Sequence, residues 1–166
     1  MSWKARTHRI RTVQTLYGSH GDIWGYVSRP RHLEYLTPKW MKFDIQNDNE
    51  FDQIHLGLII KYKIKTMPLI PYRYSWYTEI TEMVEEQSFA YHQRRGPYKY
   101  WMHSVEVQST DKPDTFQLVD DYEYVMPFGF IGEMARNLFV KRLLDEICEF
   151  RKDRLSELFP ADKGMP

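Results

Sequence analysis

The chain has 166 residues, a length that suits one domain with a sizeable buried core. Its 23 basic and 23 acidic residues give a net charge of zero, so the net basic charge that a nucleic-acid-binding protein normally needs is absent. A single cysteine excludes an intrachain disulfide, and the scattered histidines lack ligand spacing, so we expect neither a metal nor another cofactor. The longest aliphatic run, residues 56–60, is too short to span a bilayer, so we expect a cytoplasmic protein.

The first third of the chain predicts a strand followed by two short helices. Residues 5–17 alternate in polarity as a strand does. Ser19 is a suitable N-cap for a first short helix, and Pro30 ends that helix and opens a second one that stops at Pro38. Residues 40–48 alternate again and predict a second strand.

The rest of the chain predicts a run of antiparallel strands and one long helix. Strand patterns cover residues 57–65, 72–83, 88–95, 98–108 and 116–127, with turn residues between them. Apolar side chains then recur at helical spacing over residues 130–159, at Ile131, Met134, Leu138, Leu143, Ile147, Phe150 and Leu158. This order predicts an α+β fold, in which a curved antiparallel sheet wraps around the C-terminal helix and leaves a hollow between them.

Several stretches carry a family resemblance, among them RPRHLEYLTPKWMKFDI, FAYHQRRGPYKYWMHSVEV and DDYEYVMPFG. From about residue 7 to about residue 155 the chain resembles uncharacterised bacterial members of the START/polyketide-cyclase-like (SRPBCC) superfamily. The resemblance implies a helix-grip fold for a single domain of residues 1–166, with the C-terminal helix at about 130–159. It also implies a cavity between sheet and helix, and usually a hydrophobic or amphipathic ligand, but no single reaction.

The register of two hairpins predicts a polar row inside the hollow. A turn that pairs Ser109 with Asp114 places His103 opposite Asp120. A turn at residues 96–98 places Tyr91 opposite His103. Both registers set apolar residues against apolar residues, whereas a slip of one residue would turn every side chain to the other face.

A third hairpin, in which Tyr62 pairs with Trp76, adds side chains to the same concave face. The face is apolar at one end and polar in its middle. The candidate ligand-binding residues on this face are Tyr62, Trp76, Thr78, Tyr91, Gln93, Trp101, His103, Asp120, Tyr122 and Tyr124.

The row of Tyr91, His103 and Asp120 admits three interpretations. It orients a ligand without chemistry, it forms a satisfied structural network, or its His103–Asp120 pair is the general base of a cyclase or dehydratase. No serine or cysteine lies beside the pair in the predicted register, which argues against acyl transfer. We expect a binding protein for a small lipid-like or polyketide-like molecule rather than an enzyme, and the further alternative is a protein-interaction module with a filled cavity.

Two connectors, residues 66–71 and 126–132, are unusually apolar. They either pack on the end of the core, close the mouth of a pocket, or touch a partner or a membrane. We expect a monomer or weak dimer that makes at most transient membrane contact.

Overall fold

The computed structural model describes residues 6–161. Seven strands form one antiparallel sheet, and they are β1 (Thr7–Tyr17), β2 (Asp44–Ile45), β3 (Ile59–Ile64), β4 (Tyr74–Val84), β5 (Ser88–Arg95), β6 (Tyr100–Ser109) and β7 (Thr115–Val125). The strand order is β1-β7-β6-β5-β4-β3-β2. Helix α1 (His20–Val27) and two 3₁₀ turns (Pro30–Leu33 and Lys39–Met41) lie between β1 and β2.

A long C-terminal helix covers the concave face of this sheet. It consists of α2 (Gly129–Ala135), a π-helical segment (Arg136–Val140) and α3 (Lys141–Leu158). The predicted α+β helix-grip fold is therefore confirmed. The predicted domain of residues 1–166 extends past the described residues at both ends. The predicted start of β1 at Ala5 also lies outside the described residues. Within residues 6–161, none of the helices combines the length and the apolar character needed to cross a membrane.

The segment between β1 and β3 follows the predicted helix starts in its first half but not the predicted strand in its second half. The Ser19 hydroxyl accepts a hydrogen bond from the Asp22 backbone N–H and caps α1, as predicted. Pro30 begins a 3₁₀ turn. The strand predicted at residues 40–48 is wrong for most of its length, because Lys42 adopts a left-handed backbone (φ 46°) that ends the second turn.

The register of two hairpins is confirmed, and that of the third is shifted. Tyr91 pairs with His103, and Tyr62 pairs with Trp76. In the β6–β7 hairpin, however, His103 pairs with Tyr122, so the predicted pairing with Asp120 is wrong by two residues. A shift of two residues leaves every side chain on its predicted face, since side chains alternate with a period of two.

The buried face of the C-terminal helix differs from the predicted one. The stripe that enters the core consists of Leu144, Cys148, Arg151 and Leu155. Four of the predicted core positions are exposed instead, namely Ile131, Met134, Leu138 and Leu158. The π-helical segment rotates the helix face that precedes it, which carries Ile131 and Met134, because a π turn contains one residue more than an α turn. Leu158 follows this segment and is the last residue of α3.

Candidate functional site

A cavity of about 220 Å³ lies between the concave face of the sheet and the C-terminal helix. Apolar side chains from several elements form most of its wall, among them Ile10, Leu36, Met41, Phe43, Leu144 and Ile147. Six of the ten predicted ligand-binding residues also line it, namely Tyr62, Trp76, Tyr91, Trp101, His103 and Tyr122. The cavity is therefore aromatic along the sheet and polar at the row of Tyr91 and His103.

The other four predicted residues are buried or bonded elsewhere and do not line this cavity. Thr78 borders a neighbouring void of about 20 Å³. The Gln93 side-chain amide donates a hydrogen bond to the backbone carbonyl of Tyr98, at 2.7 Å, and so belongs to the β5–β6 turn. The Tyr124 hydroxyl accepts a hydrogen bond from Arg136 Nε at 3.1 Å. The fourth residue, Asp120, lies behind His103.

Asp120 is the centre of a buried polar network that connects the sheet to α3. Its carboxylate accepts hydrogen bonds from His103 Nε2 at 2.7 Å and from Arg151 Nε at 3.2 Å. Arg151 Nη2 lies 3.1 Å from the same carboxylate. On the other side, the Tyr91 hydroxyl is hydrogen-bonded to His103 Nδ1. His103 and Asp120 are each 3% exposed and Arg151 6%, so the network is shielded from solvent.

The charges in this network are fixed by burial and by Arg151. Burial by itself would raise the pKa of Asp120, but the positive charge of Arg151 and the hydrogen bond from His103 outweigh it and lower that pKa to about 2. Burial lowers the pKa of His103 and raises that of Tyr91. At neutral pH the network therefore holds an ionised carboxylate, a neutral imidazole and a neutral phenol.

These protonation states determine the direction of each hydrogen bond. An ionised Asp120 only accepts, so His103 Nε2 carries the imidazole proton and donates it. His103 Nδ1 then accepts, and the donor is the Tyr91 O–H group. The Tyr91 oxygen keeps a lone pair that can accept a hydrogen bond from a molecule in the cavity.

Arg151 is the functional residue that sequence reasoning missed. It occupies a position on the buried stripe of α3, three residues after Cys148 and four before Leu155. A single arginine on an otherwise apolar helical stripe, facing a sheet with an inward aspartate, is a signal of a buried ion pair. The predicted stripe ran through Ile147 and Phe150 instead, which placed Arg151 outside it.

A further polar group beside the cavity is the indole N–H of Trp76. Trp76 Nε1 is buried and forms no hydrogen bond among residues 6–161. The Trp76 ring packs edge-on against Trp101, with ring centroids 5.3 Å apart, and its centroid lies 5.6 Å from that of Tyr98. Because buried indole N–H groups normally find an acceptor, this nitrogen is a candidate donor to a bound molecule.

Two other kinds of site find no support in the described residues. Cys148 lines the cavity, but burial raises the pKa of its thiol to about 12, so the thiol stays protonated and is a poor nucleophile. Among residues 6–161, no three histidine, cysteine or carboxylate side chains gather in a way that could hold a metal ion.

Comparison with known proteins places the fold but not a family. No family model matches the chain, and no curated protein matches its sequence. Among solved structures, norcoclaurine synthase from Thalictrum flavum, in complex with dopamine and hydroxybenzaldehyde, is 19% identical with a TM-score of 0.60, covering 96% of this chain and 91% of its own.

Two further structures share the architecture. Major latex-like protein 151 from Panax ginseng is 13% identical (TM-score 0.62, covering 93% of this chain and 99% of its own). A protein from Mycobacterium smegmatis is 15% identical (TM-score 0.64, covering 93% and 91%). These similarities agree with the predicted helix-grip fold, and at such identities they show the fold alone.

Proposed function

We propose that this protein binds a compact, largely apolar molecule with one or two rings and at least one oxygen atom. The observation that carries the proposal is the aromatic-lined cavity of about 220 Å³ itself, whose wall includes Trp76, Tyr98 and Trp101. A dry cavity of about 150 Å³ holds benzene, so this cavity suits a slightly larger ring system. Its volume lies below the range of about 300–1,000 Å³ found for drug-sized ligands, which favours a polyketide-like aromatic compound over a long acyl chain.

Two groups in the wall can orient such a ligand. Trp76 and Tyr91 both line the cavity, and Trp76 Nε1 has no hydrogen bond among residues 6–161. We assign Trp76 Nε1 as the donor to a ligand carbonyl or hydroxyl oxygen, and the Tyr91 oxygen as the acceptor for a ligand O–H group. The rings of Tyr98 and Trp101 offer faces and edges for aromatic packing. Each hydrogen bond contributes about 1 kcal/mol net, which corresponds to roughly a fivefold change in affinity.

The alternative function, general-base catalysis by His103 and Asp120, has weaker support. Both ring nitrogens of His103 are engaged, one with Tyr91 and one with Asp120. Arg151 neutralises Asp120, so the carboxylate has less capacity to stabilise an imidazolium than in an isolated dyad. Burial also lowers the pKa of His103, which opposes proton uptake. These features suit a fixed polar wall better than a proton acceptor.

An NMR titration with naphthol tests the binding proposal. The chain has five tryptophans, and the indole N–H signals of isotopically labelled protein report each of them separately. We expect naphthol to shift the Trp76 signal, because its N–H gains an acceptor. Trp76→Phe keeps an aromatic ring but removes the donor, so affinity falls about fivefold.

Trp40→Phe is the matched control for this experiment. Trp40 Nε1 is also buried without a hydrogen bond among the described residues, but Trp40 does not line the cavity. Its substitution is expected to leave naphthol affinity unchanged. Decanoic acid, an acyl chain, is expected to bind more weakly than naphthol. Failure of naphthol to shift the Trp76 signal, or decanoic acid binding more tightly than naphthol, would refute the proposal.

Catalysis is tested with any molecule that co-purifies with the protein. Native mass spectrometry of freshly purified protein identifies any co-purifying molecule, and prolonged incubation shows whether it is converted. We expect no conversion. Conversion by the natural protein that is lost in a folded His103→Gln variant would establish the enzyme alternative.

A further inference from the structure

Two chain segments that border the cavity carry exposed apolar side chains. The connector of residues 65–73 follows β3, and residues 126–142 follow β7 through α2 and the π-helical segment. We call these two segments the collar. Both border the cavity, since Met67, Pro127 and Val140 line it.

The outer surface of the collar is strongly apolar. Leu69 is 96% exposed, Phe128 84%, Ile131 72% and Leu138 71%. Large apolar side chains gathered on one surface mark interaction sites, whereas isolated ones need no explanation. Four such side chains from two segments around one cavity form a surface that fits an apolar partner.

Phe128 combines an exposed side chain with an unfavourable backbone conformation. It adopts a left-handed conformation (φ 61°), which is disfavoured for a bulky residue. Gly129 follows with φ 54°. Strained residues of this kind concentrate at functional positions, which favours a functional role for this loop.

The collar is also basic, although the whole chain is neutral. Residues 65–73 contain Lys65 and Arg73 and no acidic residue, and residues 126–142 contain three basic residues and one acidic residue, Glu133. Glu133 is hydrogen-bonded to His8. Arg73 and Lys141 pair with carboxylates outside the collar, and the collar remains net positive after those pairs are counted.

We propose that the collar docks on the surface of an anionic lipid bilayer, with the cavity end of the protein facing the membrane. Aromatic and aliphatic side chains enter the interface between headgroups and acyl chains, and nearby cations attract anionic headgroups. A second copy of the chain is a poorer occupant, because a twofold contact would set the two basic collars against each other. The inference is independent of which ligand the cavity holds.

Sedimentation with lipid vesicles tests this inference. We expect the natural protein to sediment with vesicles of phosphatidylcholine mixed with phosphatidylglycerol, and much less with phosphatidylcholine alone. Added salt is expected to release it. Leu69→Ala and Phe128→Ala are each expected to weaken binding about tenfold, from lost apolar burial. Arg142→Gln is expected to weaken it about fivefold.

Leu56→Ala is the matched control. Leu56 is exposed like Leu69, but it precedes β3 whereas Leu69 follows it, so the two leucines lie at opposite ends of that strand. The control is expected to bind vesicles as the natural protein does. Trp76→Phe is expected to keep vesicle binding even though it weakens naphthol binding, which separates this inference from the ligand proposal.

Three outcomes would overturn membrane docking. The first is that the natural protein fails to sediment with anionic vesicles at low salt. The second is that Leu56→Ala loses as much vesicle binding as Leu69→Ala. The third is that vesicles bind no protein while light scattering detects a dimer that Phe128→Ala dissociates, which would make a second copy the occupant of the collar.

Discussion

Replacing Arg151 with methionine tests whether the buried network is a single structural unit. Methionine keeps much of the side-chain volume but removes the positive charge and leaves the Asp120 carboxylate buried with only His103 to bond. Breaking a buried ion pair in this way costs about 3–5 kcal/mol of unfolding free energy. For a chain of this size, the loss lowers the melting temperature by about 6–20 °C.

Circular dichroism during thermal and denaturant unfolding measures this loss. Arg154→Met is the control, since Arg154 lies on the outer surface of the same helix and pairs with Glu157, and its substitution is expected to change the midpoint little. Combining Asp120→Asn with Arg151→Met removes both charges. We expect this double variant to lose much less than the sum of the two single losses.

The pH dependence of the same loss gives an independent check. The pKa of Asp120 falls from 3.8 to about 2 on folding, which corresponds to about 2 kcal/mol of stability. That contribution is present above the unfolded value and is lost as the pH falls towards 2. Without Arg151, we expect burial to raise the Asp120 pKa instead. The difference in unfolding free energy between the natural protein and Arg151→Met should therefore narrow in acid. A difference in unfolding free energy below about 1 kcal/mol at neutral pH, or a difference that widens in acid, would refute the role of Arg151 as the partner of a buried carboxylate.

Three further predictions concern His103, Gly132 and Cys148. Burial lowers the pKa of His103 from 6.5, so the stability that neutral His103 contributes is fully present above pH 6.5 and declines below it. We expect His103→Gln to cost about 1–3 kcal/mol of unfolding free energy at neutral pH. The variant should also flatten the loss of stability in acid, as measured by denaturant unfolding at several pH values. A Cβ on Gly132 would lie 1.9 Å from the Pro127 carbonyl oxygen, so Gly132→Ala should lower the melting temperature sharply, whereas Gly21→Ala, with open space around it, should not. With its thiol pKa raised to about 12, Cys148 should resist iodoacetamide in the native protein and react after unfolding, and rapid native alkylation would contradict its burial.

The inward face of the sheet could be predicted from the sequence, but its register could not be predicted fully. Alternation with a period of two identifies which side chains share a face, so five of the six predicted aromatic residues line the cavity, all except Tyr124. The β6–β7 pairing was wrong because the connection is longer than the predicted turn, and Ser109 pairs with Phe116. Asp114 adopts a left-handed backbone there, and the Thr110 hydroxyl donates to the Thr115 carbonyl at 2.8 Å. Such turn geometry depends on local bonds that residue types alone leave open.

The existence of the C-terminal helix could be predicted from the sequence, but its buried face could not. Apolar residues at Ile131, Met134 and Leu138 form one helical stripe, while Leu144 and Cys148 begin another. Periodicity predicts that a helix exists here but cannot choose between overlapping stripes, because that choice depends on packing against the sheet. The ion pair of Arg151 with Asp120 was missed for this reason.

The π-helical segment has a consequence for how this protein can diverge in evolution. One residue corresponds to a rotation of about 100° around a helix axis. Deleting one residue from Arg136–Val140, such as Asn137, would restore a regular helix and rotate the preceding turn towards or away from the sheet. A single-residue insertion or deletion could therefore switch an apolar helix face between the interior and the surface without any amino-acid substitution.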